Sequence, residues 1–159
     1  MNPNLGIDES QRVEIVRILN AVLADEYVLY TKTRNYHWNV VGPQFNDLHK
    51  FFEAQYEEVD DFVDEVAERA RTLGGQASGT LTELLQQARL REQPGKYPDA
   101  RGMITSLLAD HETIVRQLRQ DVDATANKYG DVGTSDFLTG LLEKHEKMAW
   151  MLRAFVTTA

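Results

Sequence analysis

Hydrophobic positions along this chain recur every three to four residues rather than alternating, which predicts helices and no strands. The first run begins after Asp8 and passes through Ile15, Ile18, Leu19, Val22, Leu23 and Leu29 to about Tyr36. Asp8 with Gln11 three residues later reads as its capping box. A second run extends from Pro43 to Gly74, with Gly42 as N-cap, Pro43 at the first helical position and Gly74 closing the end in the left-handed conformation. Its apolar residues, from Phe45, Leu48 and Phe52 to Val66 and Ala70, occupy an arc of roughly 220° to 340° measured from His49. A third run covers about Ala100 to Tyr129 and is ended by Gly130. Thr134 or Ser135 then caps a fourth that reaches Val156.

The connections set the architecture. Asn39 to Gly42 form a short turn, so the first two helices should be antiparallel neighbours. Gly74 to Asp99 is long and carries the turn signals Gly74-Gly75, Ser78-Gly79 and Gln93-Pro94-Gly95. Within it, Thr80-Leu81-Thr82-Glu83 is a second capping box, opening a short helix through about Arg89 with Leu81, Leu84, Leu85 and Ala88 on one side. A connection of that length can run back along the bundle and leave helices two and three parallel. The expected fold is all-α, a ferritin-like four-helix bundle with a short extra helix in the long crossover between helices two and three. Residues 1–159 read as one domain, with no repeat or low-complexity segment.

Composition narrows the chemistry. The chain has 159 residues, no cysteine, 25 acids against 17 bases, and a formal net charge of -8. It is long enough to bury a core without staples, and neither a disulfide framework nor a thiolate metal site is available. No apolar run approaches the roughly 20 residues of a membrane span, and Met1 to Ile7 does not read as a signal peptide. The acidic balance argues against a broad affinity for nucleic acid and suits a protein that gathers cations.

The second helix concentrates the candidate chemistry. Asp60, Glu53, Asp64, Glu57 and Glu68 all fall within about 100° of His49, beside the apolar arc. His49/Glu53 and Asp64/Glu68 are each one turn apart, close enough to share a ligand. Carboxylates so close repel one another and favour a cation between them, and a mixed imidazole and carboxylate set suits iron, manganese or zinc. A solvated acidic face is the competing reading, but it leaves His49 and the upstream His37 unexplained.

The residues His37-Trp38-Asn39, Gly42, Phe45, Leu48-His49, Phe52-Glu53, Asp64, Ala67-Glu68-Arg69 and Leu73-Gly74 carry a resemblance. In that spacing the stretch closely resembles the Dps family, the miniature ferritins named as DNA-binding proteins from starved cells, and a weaker continuation covers most of the chain. The resemblance implies iron ligation by His37, His49, Glu53, Asp64 and Glu68, with two irons in one site. Glu53 stands where relatives often have Asp. The site would be shared across a two-fold axis, one subunit giving the His pair and its neighbour the acids, in a hollow shell of twelve subunits in the cytoplasm. Hydrogen peroxide, or O2, would be the oxidant, and ferric oxyhydroxide the product. Trp38 and Tyr36, flanking His37, are candidates to absorb a stray oxidising equivalent, with interface packing as the plainer reading. Glu57, Asp60, Asp61 and Glu65 are candidates for mineral nucleation. Asp131 and Asp136 stand where relatives line a three-fold pore, although capping and solvation explain such residues equally well.

Two features separate this reading from its neighbours. No Glu-x-x-His motif occurs, so the intra-bundle centre of larger ferritins is not expected. His111 and His145 sit among charged residues and read as surface histidines. Two rival functions remain. A nucleoid-associated DNA-binding protein would want basic tails, yet no Lys or Arg precedes Arg12 and none follows Arg153. A metal-dependent helical-bundle hydrolase would want three ligands around one metal and a substrate pocket.

Overall fold

The computed structural model describes residues 3–157; Met1, Asn2, Thr158 and Ala159, which belong to the tails read as lacking Lys and Arg, lie outside them. The described residues contain five α-helices and no strand: α1 (Glu9–Asn39), α2 (Phe45–Thr72), α3 (Leu81–Gln87), α4 (Ala100–Asp123) and α5 (Val132–Val156), with a π-helical turn Ala124–Lys128 between the last two. Both expected capping boxes form, Asp8 with Gln11 and Thr80 with Glu83.

Contacts between named residues give the directions. His37 meets His49 at the α1–α2 turn. On α4, Asp110 pairs with Lys32 at 2.6 Å and Ser106 meets Tyr36 at 3.4 Å, so α4 also runs antiparallel to α1. Helices α2 and α4 are therefore parallel, as the long crossover requires. Glu112 with Arg153, and Glu146 with Arg119, fix α4 antiparallel to α5. The crossover is pinned rather than loose. Buried Asp25 accepts from the backbone N–H groups of Arg89 and Leu90 at 2.6 and 3.0 Å and pairs with the Arg89 guanidinium, which also reaches Asp121 at 2.8 Å. Three segments are thereby tied at one point, and a buried carboxylate with three donors is satisfied.

Several boundaries differ from expectation for local reasons. Helix α2 begins at Phe45 with Gln44 as N-cap, because Gly42 takes φ 119° and extends the turn through Pro43. Helix α4 ends at Asp123, where the hydrogen bonds slip to the π pattern; Gly130 then closes the segment at φ 69°. Helix α5 starts at Val132, earlier than Thr134 or Ser135, since Asp131 supplies the cap. In α3 only Leu84 packs inward with the following Ala88, and Leu81 and Leu85 remain exposed. The core itself runs the length of the bundle, from Ile15, Leu19 and Leu29 of α1 to Leu138 and Leu152 of α5.

Candidate metal centre

The α1–α2 turn brings His37, in the last turn of α1, onto His49 in the second turn of α2. The rings stack with centroids 3.8 Å apart and planes 20° from parallel. His37 Nδ1 lies 2.8 Å from the carbonyl oxygen of His49, and His49 Nδ1 lies 2.9 Å from the carbonyl oxygen of His37. A carbonyl only accepts, so each Nδ1 carries the proton and donates it. Each Nε2 is left with a free lone pair, the tautomer a metal ligand needs. Phe45 stacks on His49 at 5.1 Å and Tyr56 meets His37 edge-on at 5.3 Å. Phe45 was expected in the buried arc but is 46% exposed, its ring lying on imidazole rather than in the core.

Glu53 lies one turn beyond His49 and is half-buried. Asp64 and Glu68 are exposed, and at a rise of 1.5 Å per residue Asp64 lies about 22 Å along α2 from His49. No side chain spans that distance. Among the described residues, no three His, Cys, Asp or Glu side chains converge into a metal-holding group. The chain thus brings His37 and His49 together, with Glu53 one turn further along α2, and keeps Asp64 and Glu68 apart from them. Glu57, Asp60, Asp61 and Glu65 are all exposed between or beside these two halves.

The flanking aromatics need correction. Tyr36 is 3% exposed and its hydroxyl faces Ser106 of α4, so it belongs to the core and not to the histidine site. Trp38 is 63% exposed, with the Arg34 guanidinium 5.1 Å from its ring. The same guanidinium lies over Tyr30 and Tyr56, at 5.6 and 5.8 Å, and donates to the Tyr30 hydroxyl. Tyr56 is the tyrosine in contact with the pair, and sequence reasoning passed over it. Its place seven residues after His49, on the same helix face, was the available clue. Burial holds the Tyr56 phenol above its usual pKa, with the Glu53 and Glu57 carboxylates adding to the rise and Arg34 opposing it.

Asp131 is also reassigned. Its carboxylate is buried, caps α5 by accepting from the Thr134 backbone N–H at 3.0 Å and from the Thr134 hydroxyl, and faces Arg69 at 3.4 Å. Those bonds explain its place without a pore. Asp136, one turn on, is exposed.

His111 and His145 overturn their expected surface position: both are fully buried. Their Nδ1 atoms lie 2.9 Å apart, and His145 Nε2 lies 2.9 Å from Glu26 Oε1, itself fully buried on α1. The clue was register. His111 continues the apolar row of Leu107, Ile114 and Leu118, and His145 that of Leu138, Leu141, Met148 and Leu152. Charged residues adjacent in sequence point elsewhere on a helix and say nothing about the face beneath.

Comparison with known proteins bears on the same residues. The family model for a ferritin-like domain matches residues 16–159. An uncharacterised low-temperature-induced protein of Nostoc is 48% identical over 153 residues, covering 96% of this chain and 86% of that protein. DNA protection during starvation protein 2 of Bacillus anthracis is 39% identical over 144 residues, covering 90% and 97%. A crystal structure of the Dps protein from Vibrio cholerae, described as a member of the superfamily of ferritin-like diiron-carboxylate proteins, superposes with a TM-score of 0.91 at 32% identity, covering 99% and 98%.

Proposed function

We propose, from the premise that this chain belongs to the Dps family of ferritin-like proteins, that it is a ferroxidase and iron store whose reaction centre is divided between two subunits. The observation that carries this reading is the paired Nδ1 anchoring of His37 and His49. It leaves both Nε2 lone pairs free, one turn from Glu53 on α2, at a distance from Asp64 and Glu68 that one chain does not bridge. A second copy related by a two-fold axis would lay its Asp64 and Glu68 against this chain's histidines, and the converse, making two equal sites per pair of chains. Closure of such pairs into a shell of twelve would leave Glu57, Asp60, Asp61 and Glu65 as exposed carboxylates available to ferric product.

Iron is here the substrate. Imidazole and carboxylate ligands bind Fe(II) with positions left for an oxidant. Two Fe(II) each give one electron, and one hydrogen peroxide accepts both; its O–O bond breaks and two protons complete two waters. Paired transfer avoids the hydroxyl radical of one-electron reduction. Tyr56, edge-on to His37 with its phenol kept protonated, is the donor for a stray oxidising equivalent in place of buried Tyr36, alongside exposed Trp38. Asp136 remains the acid suited to an entry pore, where three copies would focus a negative potential. In a cytoplasmic setting, protection of DNA follows from removal of iron and peroxide, without contact with the duplex.

The test replaces the halves separately. His37→Ala with His49→Ala, and Asp64→Ala with Glu68→Ala, should each slow peroxide-driven Fe(II) oxidation at low iron loading by at least about tenfold. Unchanged initial rates in an assembled His37/His49 variant would remove the assignment.

A further inference from the structure

Glu26 of α1, His145 of α5 and His111 of α4 form a hydrogen-bonded row across the interior of the bundle, with all three side chains fully buried. With Glu26 ionised and both rings neutral, the two contacts assign every proton of the row. The Glu26 carboxylate accepts from His145 Nε2–H, and one proton lies between the two Nδ1 atoms, donated by His111 to His145. In that state His111 Nε2 is a bare lone pair, and it has no hydrogen-bond partner. Glu26 Oε2 is likewise unpartnered. The row therefore has a carboxylate charge at one end and an open proton acceptor at the other.

Its surroundings isolate it. Phe62 of α2 packs edge-on against His145 with ring centroids 5.5 Å apart. The neighbouring charged groups are committed elsewhere: Asp25 to Arg89, Asp110 to Lys32, Glu112 to Arg153, Lys144 to Glu58 and Glu146 to Arg119. Within the row, a first added proton is offset by Glu26. A second would place two imidazolium rings 2.9 Å apart, nitrogen to nitrogen, in a medium of low dielectric.

We infer that the Glu26–His145–His111 row is an acid-sensitive latch, holding α1, α4 and α5 together near neutral pH and giving way when the interior must accept a further proton. Burial, reinforced by repulsion from His145, holds the His111 imidazole well below its usual pKa. The sign follows directly. Unfolded His111 binds a proton below about pH 6.5 and the buried ring does not, so the stabilisation is complete above that pH and is lost progressively as pH falls below it. This latch stands apart from the iron chemistry, because none of its members contacts His37, His49 or the exposed acids.

The experiment is equilibrium unfolding of the full chain between pH 8 and pH 5, at one fixed protein concentration because assembly shifts the apparent stability. The wild-type folding constant should fall by up to about tenfold per pH unit for each proton taken up only on unfolding. His111→Gln keeps a polar side chain that does not titrate and should flatten that profile by about one proton. Glu26→Gln removes the offsetting charge, so the folded row takes up less proton and the slope below about pH 6.5 should steepen by up to one proton, which keeps the latch testable if the first variant folds poorly. A wild-type slope retained in His111→Gln, or in Glu26→Gln, would overturn the inference. So would one equivalent of Zn(II) bound per chain in a variant lacking His37, His49, Asp64 and Glu68, since the row would then be a metal centre.

Discussion

His37 and His49 form one imidazole pair and His111 and His145 another, each made by two antiparallel helices of the same bundle. In the first pair each Nδ1 donates to a backbone carbonyl, so both Nε2 atoms are free. In the second, the Nδ1 atoms are spent on each other and one Nε2 on Glu26. The residue types are the same and the consequences opposite. An anchored ring with a free nitrogen can receive a ligand, whereas a ring whose partners are other side chains in a dry core mainly couples helices and protons. What distinguishes the proposed ligand pair from the structural one is the partner of Nδ1, a backbone carbonyl in the first and another imidazole in the second.

Removing a member of each pair should separate the two roles. His145→Ala leaves the Glu26 carboxylate buried without a donor, and should cost roughly 3 kcal/mol of stability in a denaturant titration, while iron oxidation by the protein still folded keeps its initial rate. His37→Ala with His49→Ala should do the reverse: oxidation at least about tenfold slower, with the melting curve little moved. Loss of both properties in either variant would erase the contrast. Asp131→Ala tests a smaller version of the same distinction. As a cap facing Arg69 it should cost about 1 kcal/mol of stability and leave iron uptake alone, whereas Asp136→Ala should slow uptake without a stability change. The smallest expected effect is on DNA. With 25 acids against 17 bases, the metal-free protein should give no salt-sensitive gel shift with plasmid at roughly 0.1 M salt in the presence of chelator. A shifted complex under those conditions would restore direct binding.

The bundle was legible because long apolar stripes, two capping boxes and the long α2–α4 connection all pointed to one topology. The α2 stripe singled out His49, Glu53, Asp64 and Glu68, which stand as the proposed iron ligands. Three other things were hidden by local appearance. Asp131 reads like a loop acid; its cap on Thr134 is local to α5, but its pairing with Arg69 depends on how α2 packs beside α5. Tyr36 adjoins His37 in sequence but points into the bundle, whereas Tyr56 reaches the pair from the facing helix. His111 and His145 sit among charged residues, so their apolar register was overridden by composition. In each case the deciding contact comes from another helix, which a reading of one segment at a time does not include.

The claim that the reaction centre is divided between chains has a direct measurement. Neither a His37/His49-defective chain nor an Asp64/Glu68-defective chain alone should bind iron at the site. A covalently joined pair of the two contains one site with both halves intact and one with both halves broken. Stoichiometric Fe(II) binding to that mixed pair should therefore recover half the wild-type number of sites. No recovery, with the pair folded and associated, would contradict a shared centre and place the ligands within a single bundle.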